Sequence, residues 1–255
     1  MLDGLLVRVI LRTSLVCIAS AMPVAAAQRI AVSVPFVGCK SDGQMGPVQA
    51  PTGENKVAPI TAEMAGRLAY YKAEKGSGVL APRGWYCLGT YGSNGEALYV
   101  SPNPIRAADV LSTTKWKGFT GPAIEASFLY GDTSGRFDVA RMIARVFPGY
   151  RKFLQKVIDE GIEPASSFPS GPYPSDKLTY LSRELVEYQT PPEAEGLGTR
   201  SWLLKNTDPI RGVAMLVGET PDLMYLAVRL PPEMGELVPV VVQQAERDAA
   251  KSAEK

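Results

Sequence analysis

Histidine is absent from this chain of 255 residues. That absence excludes Ser-His-Asp and Cys-His nucleophilic catalysis and removes the commonest zinc and iron ligand. Cysteine is scarce, with three in the whole chain and no C-x-x-C pair, so nothing suggests a redox or zinc motif. Neither an N-x-S/T sequon nor a G-x-S-x-G nucleophile elbow occurs. Neither sign of charge dominates, at 27 basic against 26 acidic residues. A neutral total argues against a nucleic-acid partner, whose affinity comes from neutralised phosphates. No metal and no cofactor is expected on these grounds.

What is present begins with a leader. Met1–Arg12 carries Arg8 and Arg12 against Asp3, Thr13–Val24 is uncharged and mostly apolar, and Ala25-Ala26-Ala27 supplies small residues. This three-part pattern predicts a signal peptide over residues 1–27, cleaved to leave Gln28 first, and a periplasmic or secreted location of bacterial type. The apolar stretch is shorter than the roughly 20 residues a membrane span needs. An uncleaved anchor is the alternative, because Leu5–Val9 can extend the run, but no transmembrane segment is expected after cleavage. Cys17 follows Leu15 and Val16 rather than the small residues of a lipoprotein signal, and it leaves with the leader. The two remaining cysteines, Cys39 and Cys87, then pair in an oxidising compartment. Closing so long a loop stabilises by at most about 4 kcal/mol.

The mature chain, with 45% hydrophobic and 21% charged residues overall, reads as globular. Residues 28–250 are expected to form one α+β domain, a mainly antiparallel sheet with packed helices and one structural disulfide. The proline-rich stretch 161–176 is the best boundary if there are two lobes, and 251–255 are expected as a disordered tail. Along the chain, Ile30–Val37 reads as a strand, Ser41–Pro59 as a long loop, and Thr61 as the cap of a helix running to Gly76. Gly84–Tyr91 and Glu96–Ser101 read as a hairpin about Asn94-Gly95. Ala123–Tyr130 is a strand candidate, Arg136–Phe147 and Tyr150–Glu160 are helices, and Leu178–Gln189 is a strand or bent hairpin. Val213–Val217 and Leu223–Leu230 read as strands, and Pro231-Pro232 as a helix start. Strands in runs followed by helices in runs place the fold in the α+β class.

Candidate chemistry is thin. Ser112-Thr113-Thr114-Lys115 matches the S-x-x-K pattern of penicillin-binding serine enzymes, yet their S-D-N and K-T-G companions are missing. A second S-x-x-K, Ser252–Lys255, falls in the tail and shows how readily the pattern arises. Glu184, Glu187, Glu193 and Glu195 are the densest acids, but on a strand Glu184 and Glu187 point to opposite faces, which spoils an acid–base pair. Asp132-Thr133-Ser134-Gly135 offers too few oxygens for calcium; Asp132 or Ser134 is expected to cap the following helix. Gly196-Leu197-Gly198-Thr199 lacks a nucleotide fingerprint and reads as a turn before Trp202.

Two features remain as candidate binding residues. Arg136, Arg141, Arg145, Arg151 and Lys152, with Lys156, make the clearest local charge imbalance, with Asp138 the acid among them. Trp116 sits between two lysines and offers a flat aromatic face, while Trp85, beside Cys87, is expected in the core. The leading expectation is an exported, non-enzymatic binding or accessory module whose partner is an envelope protein or a glycan. The alternatives are a secreted hydrolase using carboxylates or a Ser-Lys pair, and a protein associated with anionic lipid or polyanion surfaces.

Overall fold

A computed structural model describes residues 30–253 of the chain, Thr113 and Lys115 excepted. The leader over 1–27 with Cys17, the expected new N-terminus Gln28, the lysine of the first S-x-x-K and that of the second lie outside the described residues. Among the described residues, no helix is long and apolar enough to cross a membrane.

The fold is α+β, as expected. Among the described residues the strands are β1 (Ile30–Val34), β2 (Phe36–Cys39), β3 (Ser41–Gly43), β4 (Lys56–Ile60), β5 (Leu68–Ala73), β6 (Val79–Pro82), β7 (Tyr86–Gly92), β8 (Gly95–Ser101), β9 (Ala123–Leu129), β10 (Lys177–Tyr180), β11 (Leu185–Thr190), β12 (Ile210–Val217) and β13 (Asp222–Arg229). The helices are α1 (Ala62–Arg67), α2 (Ala107–Val110), α3 (Arg136–Val146), α4 (Arg151–Asp159) and α5 (Val238–Ala253). Eight strands form one sheet in the order β10-β11-β12-β13-β9-β8-β7-β3. Every pairing in it is antiparallel except β3 with β7. Strands β2-β5-β6 make a smaller sheet, and β1 pairs with β4.

Alternation along the central strands assigns each face its partner. Met224, Leu226 and Val228 of β13 pack with Val238 and Val241 of α5 and with Leu68, Tyr71 and Leu80 of the small sheet. Leu223, Tyr225 and Ala227 face the other way and pack with Val139, Ile143 and Val146 of α3. The large sheet is therefore covered on both sides. The disulfide joins Cys39 of β2 to Cys87 of β7, stitching the small sheet to the large one.

Several expectations need correction. Pro35, which has no N–H to give a ladder, splits the first strand, although its carbonyl accepts from the Tyr70 N–H. The stretch 41–59 is not one loop, since it contains β3 and β4. Thr61 does cap α1, accepting from the Met64 N–H at 3.2 Å, but that helix ends at Arg67. Residues Leu68–Ala73 become the middle strand of the small sheet, because burial on both faces outweighs a helical spacing of apolar residues. Neither Asp132 nor Ser134 caps α3, whose N-cap is Gly135 with no side-chain bond. The Ser134 hydroxyl instead meets that of Ser93 at 3.1 Å. A Cβ at Gly135 would stand 2.1 Å from the Asn94 carbonyl, so the turn is docked tightly on the β7–β8 hairpin. Leu178–Gln189 resolves into the hairpin β10–β11. Strands on both sides of the proline-rich stretch belong to the same large sheet, and Phe168 within that stretch is buried against α3 and α4. Helix α5 continues to Ala253, into the expected tail.

Candidate functional site

The half of the large sheet that α3 does not fully cover forms the floor of a cleft of about 390 Å3. Register builds that floor in two cross-strand rows. Thr90, Ala97, Ser127 and Tyr225 are successive neighbours on β7, β8, β9 and β13. In the next row, Tyr99 stands beside Glu125 and Glu125 beside Ala227. Thus Glu125 and Ser127, at alternate positions of an otherwise apolar strand, point to one side. Ile124, Ala126 and Phe128 point to the core on the other.

Glu125 is 6% exposed. One carboxyl oxygen accepts from the Ser127 hydroxyl at 3.0 Å and the other from the Trp202 backbone N–H at 2.7 Å. Burial pushes its carboxyl up to about 7, against the pull of those two donors. Burial likewise raises the Tyr99 and Tyr225 phenols far above their ordinary value, so both stay protonated. The Tyr225 hydroxyl donates to the Leu197 carbonyl at 2.6 Å.

Two walls rise from the floor. On one, Arg141 and Arg145 of α3 and Arg200, at the end of a 3-10 turn Leu197–Arg200, line the cleft together with Asp138. Arg141 is matched by Asp138 at 2.7 Å and by Glu163. Arg145 donates to the Gly171 carbonyl and lies 4.1 Å over the Tyr173 ring. Arg200 makes one long approach to Asp138, at 4.0 Å. The turn carrying Arg200 is anchored by Asp176, which accepts from the Leu197 N–H and the Thr190 hydroxyl, both at 2.7 Å.

The other wall is aromatic. Trp202, 38% exposed, lines the cleft. Its ring lies 4.7 Å from that of Trp116, which in turn packs edge-on against Phe119 at 5.0 Å and Tyr99 at 5.8 Å. The two loops bearing these rings converge on Arg229, a guanidinium with no exposed surface. It donates to the carbonyls of Phe119 at 2.7 Å and Gly121 at 2.6 Å, and to that of Leu204. Burial lowers its pKa, and the stack of carbonyl dipoles holds the charge.

The structure divides the candidates read from the sequence. Arg141 and Arg145 line the cleft, and Trp116 braces its aromatic wall. Arg136 and Lys152 line a separate groove of about 750 Å3 with Lys156, and Arg136 is paired with Glu160 at 2.7 Å. Arg151 is exposed and belongs to neither. The basic run is therefore not one face. Glu184 bonds the Tyr150 hydroxyl, whereas Glu187 meets Glu246 of α5, so the two acids do sit on opposite sides of the sheet. Trp85 packs against the core beside the disulfide. Glu125, Ser127, Tyr225, Arg200 and Trp202 were missed. An acid and a serine two apart in an apolar strand are the one local sign of them.

Among the described residues no cluster of potential metal ligands is found. No family model, curated protein or solved structure matches the chain.

Proposed function

We propose that the chain is an exported, non-enzymatic binding module of the cell envelope, and that the cleft over Glu125 is its ligand site. The observation that carries this reading is the cleft itself: a polar floor on rigid paired strands, set between a guanidinium wall and a braced aromatic wall. Concave sites with a few convergent polar groups are the usual place for a small ligand. The three carboxylates lining it each serve a neighbour: Glu96 accepts from Tyr130, Glu125 from Ser127 and Trp202, and Asp138 from Arg141. That arrangement suits recognition better than paired acid–base work.

The test is a ligand-observed NMR screen of the chain against small polar metabolites and cell-wall fragments, repeated on Ala97→Phe. Ala97 lies in the floor between Thr90 and Ser127, so the larger ring fills the cleft. Hits lost in this variant, with its circular dichroism unchanged, support the site; hits that persist place binding elsewhere. Export is tested separately. Expressed from its full gene, the chain should leave the cytoplasm with a mass that begins at Gln28, and a mass that begins at Met1 refutes processing.

A hydrolytic reading has one observation in its favour, the Glu125 carboxyl held near 7 in a cleft. Turnover of a bound glycan that Glu125→Gln abolishes without loss of binding decides for it.

A further inference from the structure

Resting on the cleft as a ligand site, we propose that its ligand is a sugar ring bearing one carboxylate, either free or as the end unit of an acidic glycan. Three features lead there. First, Trp202 lines the cleft with Trp116 held against it at 4.7 Å, and the electron-rich face of an indole attracts the weakly positive C–H face of a pyranose. Second, the cations are unequally used. Arg141 is satisfied by Asp138 and Glu163, whereas among the described residues the nearest carboxylate to Arg200 is Asp138 at 4.0 Å, and Arg145 gives one N–H to Gly171 while lying over Tyr173 in the field of Asp176. Two guanidinium groups thus retain donors for an incoming anion, whose planar oxygen pair matches their fork.

Third, the charge count is small. Glu96, Asp138 and a part-ionised Glu125 line the same cleft as the three arginines, so the net field accommodates at most one negative group and repels a di- or triphosphate. This separates an acidic sugar from a nucleotide, which could otherwise stack on the same indole. Thr90, Ser127 and Tyr99 line the floor of the same cleft, with Tyr99 bonded to Thr90 and Ser127 to Glu125, so the floor is polar where a sugar ring would rest. A volume of about 390 Å3 lies at the small end of ligand sites, roughly 300–1,000 Å3, and suits one or two rings.

The experiment is isothermal titration of the full chain with D-glucuronate, D-galacturonate and N-acetylmuramate, against D-glucose as ring without charge and acetate as charge without ring. At least one acidic sugar is expected to bind tenfold or more tightly than both controls. Arg200→Gln should remove that margin, and Trp202→Ala should weaken every ring-bearing probe while leaving acetate unchanged. Arg145→Gln serves as the second cation variant if Arg200→Gln unfolds. The ligand class is overturned if no acidic sugar binds, if glucose binds as well as the acids, or if both arginine variants retain the margin. If instead the acidic sugars bind Ala97→Phe as they bind the native chain, the cleft reading itself fails. A screen hit of another class that Ala97→Phe abolishes leaves the cleft reading standing and removes only the sugar.

Discussion

Glu125 and Arg229 are two buried charges handled in opposite ways. Glu125 lies among Tyr99, Ser127, Tyr225 and Tyr188, with Asp138 and the arginines of the cleft wall above, and its carboxyl is raised from 4.5 to about 7. The folded chain therefore keeps a proton that the unfolded chain gives up. The resulting stability is complete below about pH 4.5 and is lost as pH rises through 7, by roughly 3 kcal/mol. Glu246, raised to about 7 by burial and by Glu187 beside it, contributes in the same direction. Glu125→Gln should remove only the first share. Urea unfolding at pH 4 and pH 8 should then show a loss about 3 kcal/mol smaller than in the native chain, and equal losses would sink this account. Arg229 keeps its charge because three backbone carbonyls surround it and the Asp208 carboxylate opposes the effect of burial. In Arg229→Met those carbonyls lose their donor, at a cost of about 3 kcal/mol or more. Because the same carbonyls belong to the loops of Trp116 and Trp202, tryptophan emission should shift to the red in the folded variant. Unchanged emission would show that the loops hold without the clamp.

At the scale of elements, the hairpin β7–β8, helices α3 and α4, and strands β9, β12 and β13 were legible, because each states itself locally by alternation, by turn residues or by helical spacing. The segment Met64–Tyr71 was not, since its apolar spacing satisfies a helix and its burial on both faces of a middle strand is a property of the neighbours. The cleft was less legible still. Arg141 and Arg145 stood out by charge, but Glu125 became a site residue only when β8 and β13 bracketed β9. Gly212 shows the same dependence on pairing. A Cβ there would meet the Leu226 carbonyl at 1.8 Å and the Tyr188 hydroxyl at 2.6 Å, and that hydroxyl donates to the same carbonyl. Overpacking by Gly212→Ala should cost about 2 kcal/mol, read as a lower melting temperature. The Cys39–Cys87 pairing was legible from the cysteine count on the expectation that Cys17 departs with a leader. Cys39→Ser with Cys87→Ser should cost up to about 4 kcal/mol and leave the cleft intact, because Cys87 packs with the core that Val100 and Ile124 join, on the face away from Glu125. A double variant that keeps its stability but loses ligand binding would contradict that separation.

At the scale of the whole molecule, the strand order decides when the cleft can exist. Its floor row runs from Thr90 to Tyr225, and its walls draw on α3, the turn at Arg200 and the loop of Trp202. The first and last strands of that row lie far apart in the sequence, so closing it requires contacts of long sequence separation, the slowest kind to form. The floor row is complete only when β13 pairs with β9. Two co-expressed halves divided within the proline-rich stretch should each lack the site and recover it only on joining, which ligand titration of the separated and mixed halves would reveal. Ligand capture therefore waits on the joining of β13 to β9, and occupancy of the cleft reports a finished sheet.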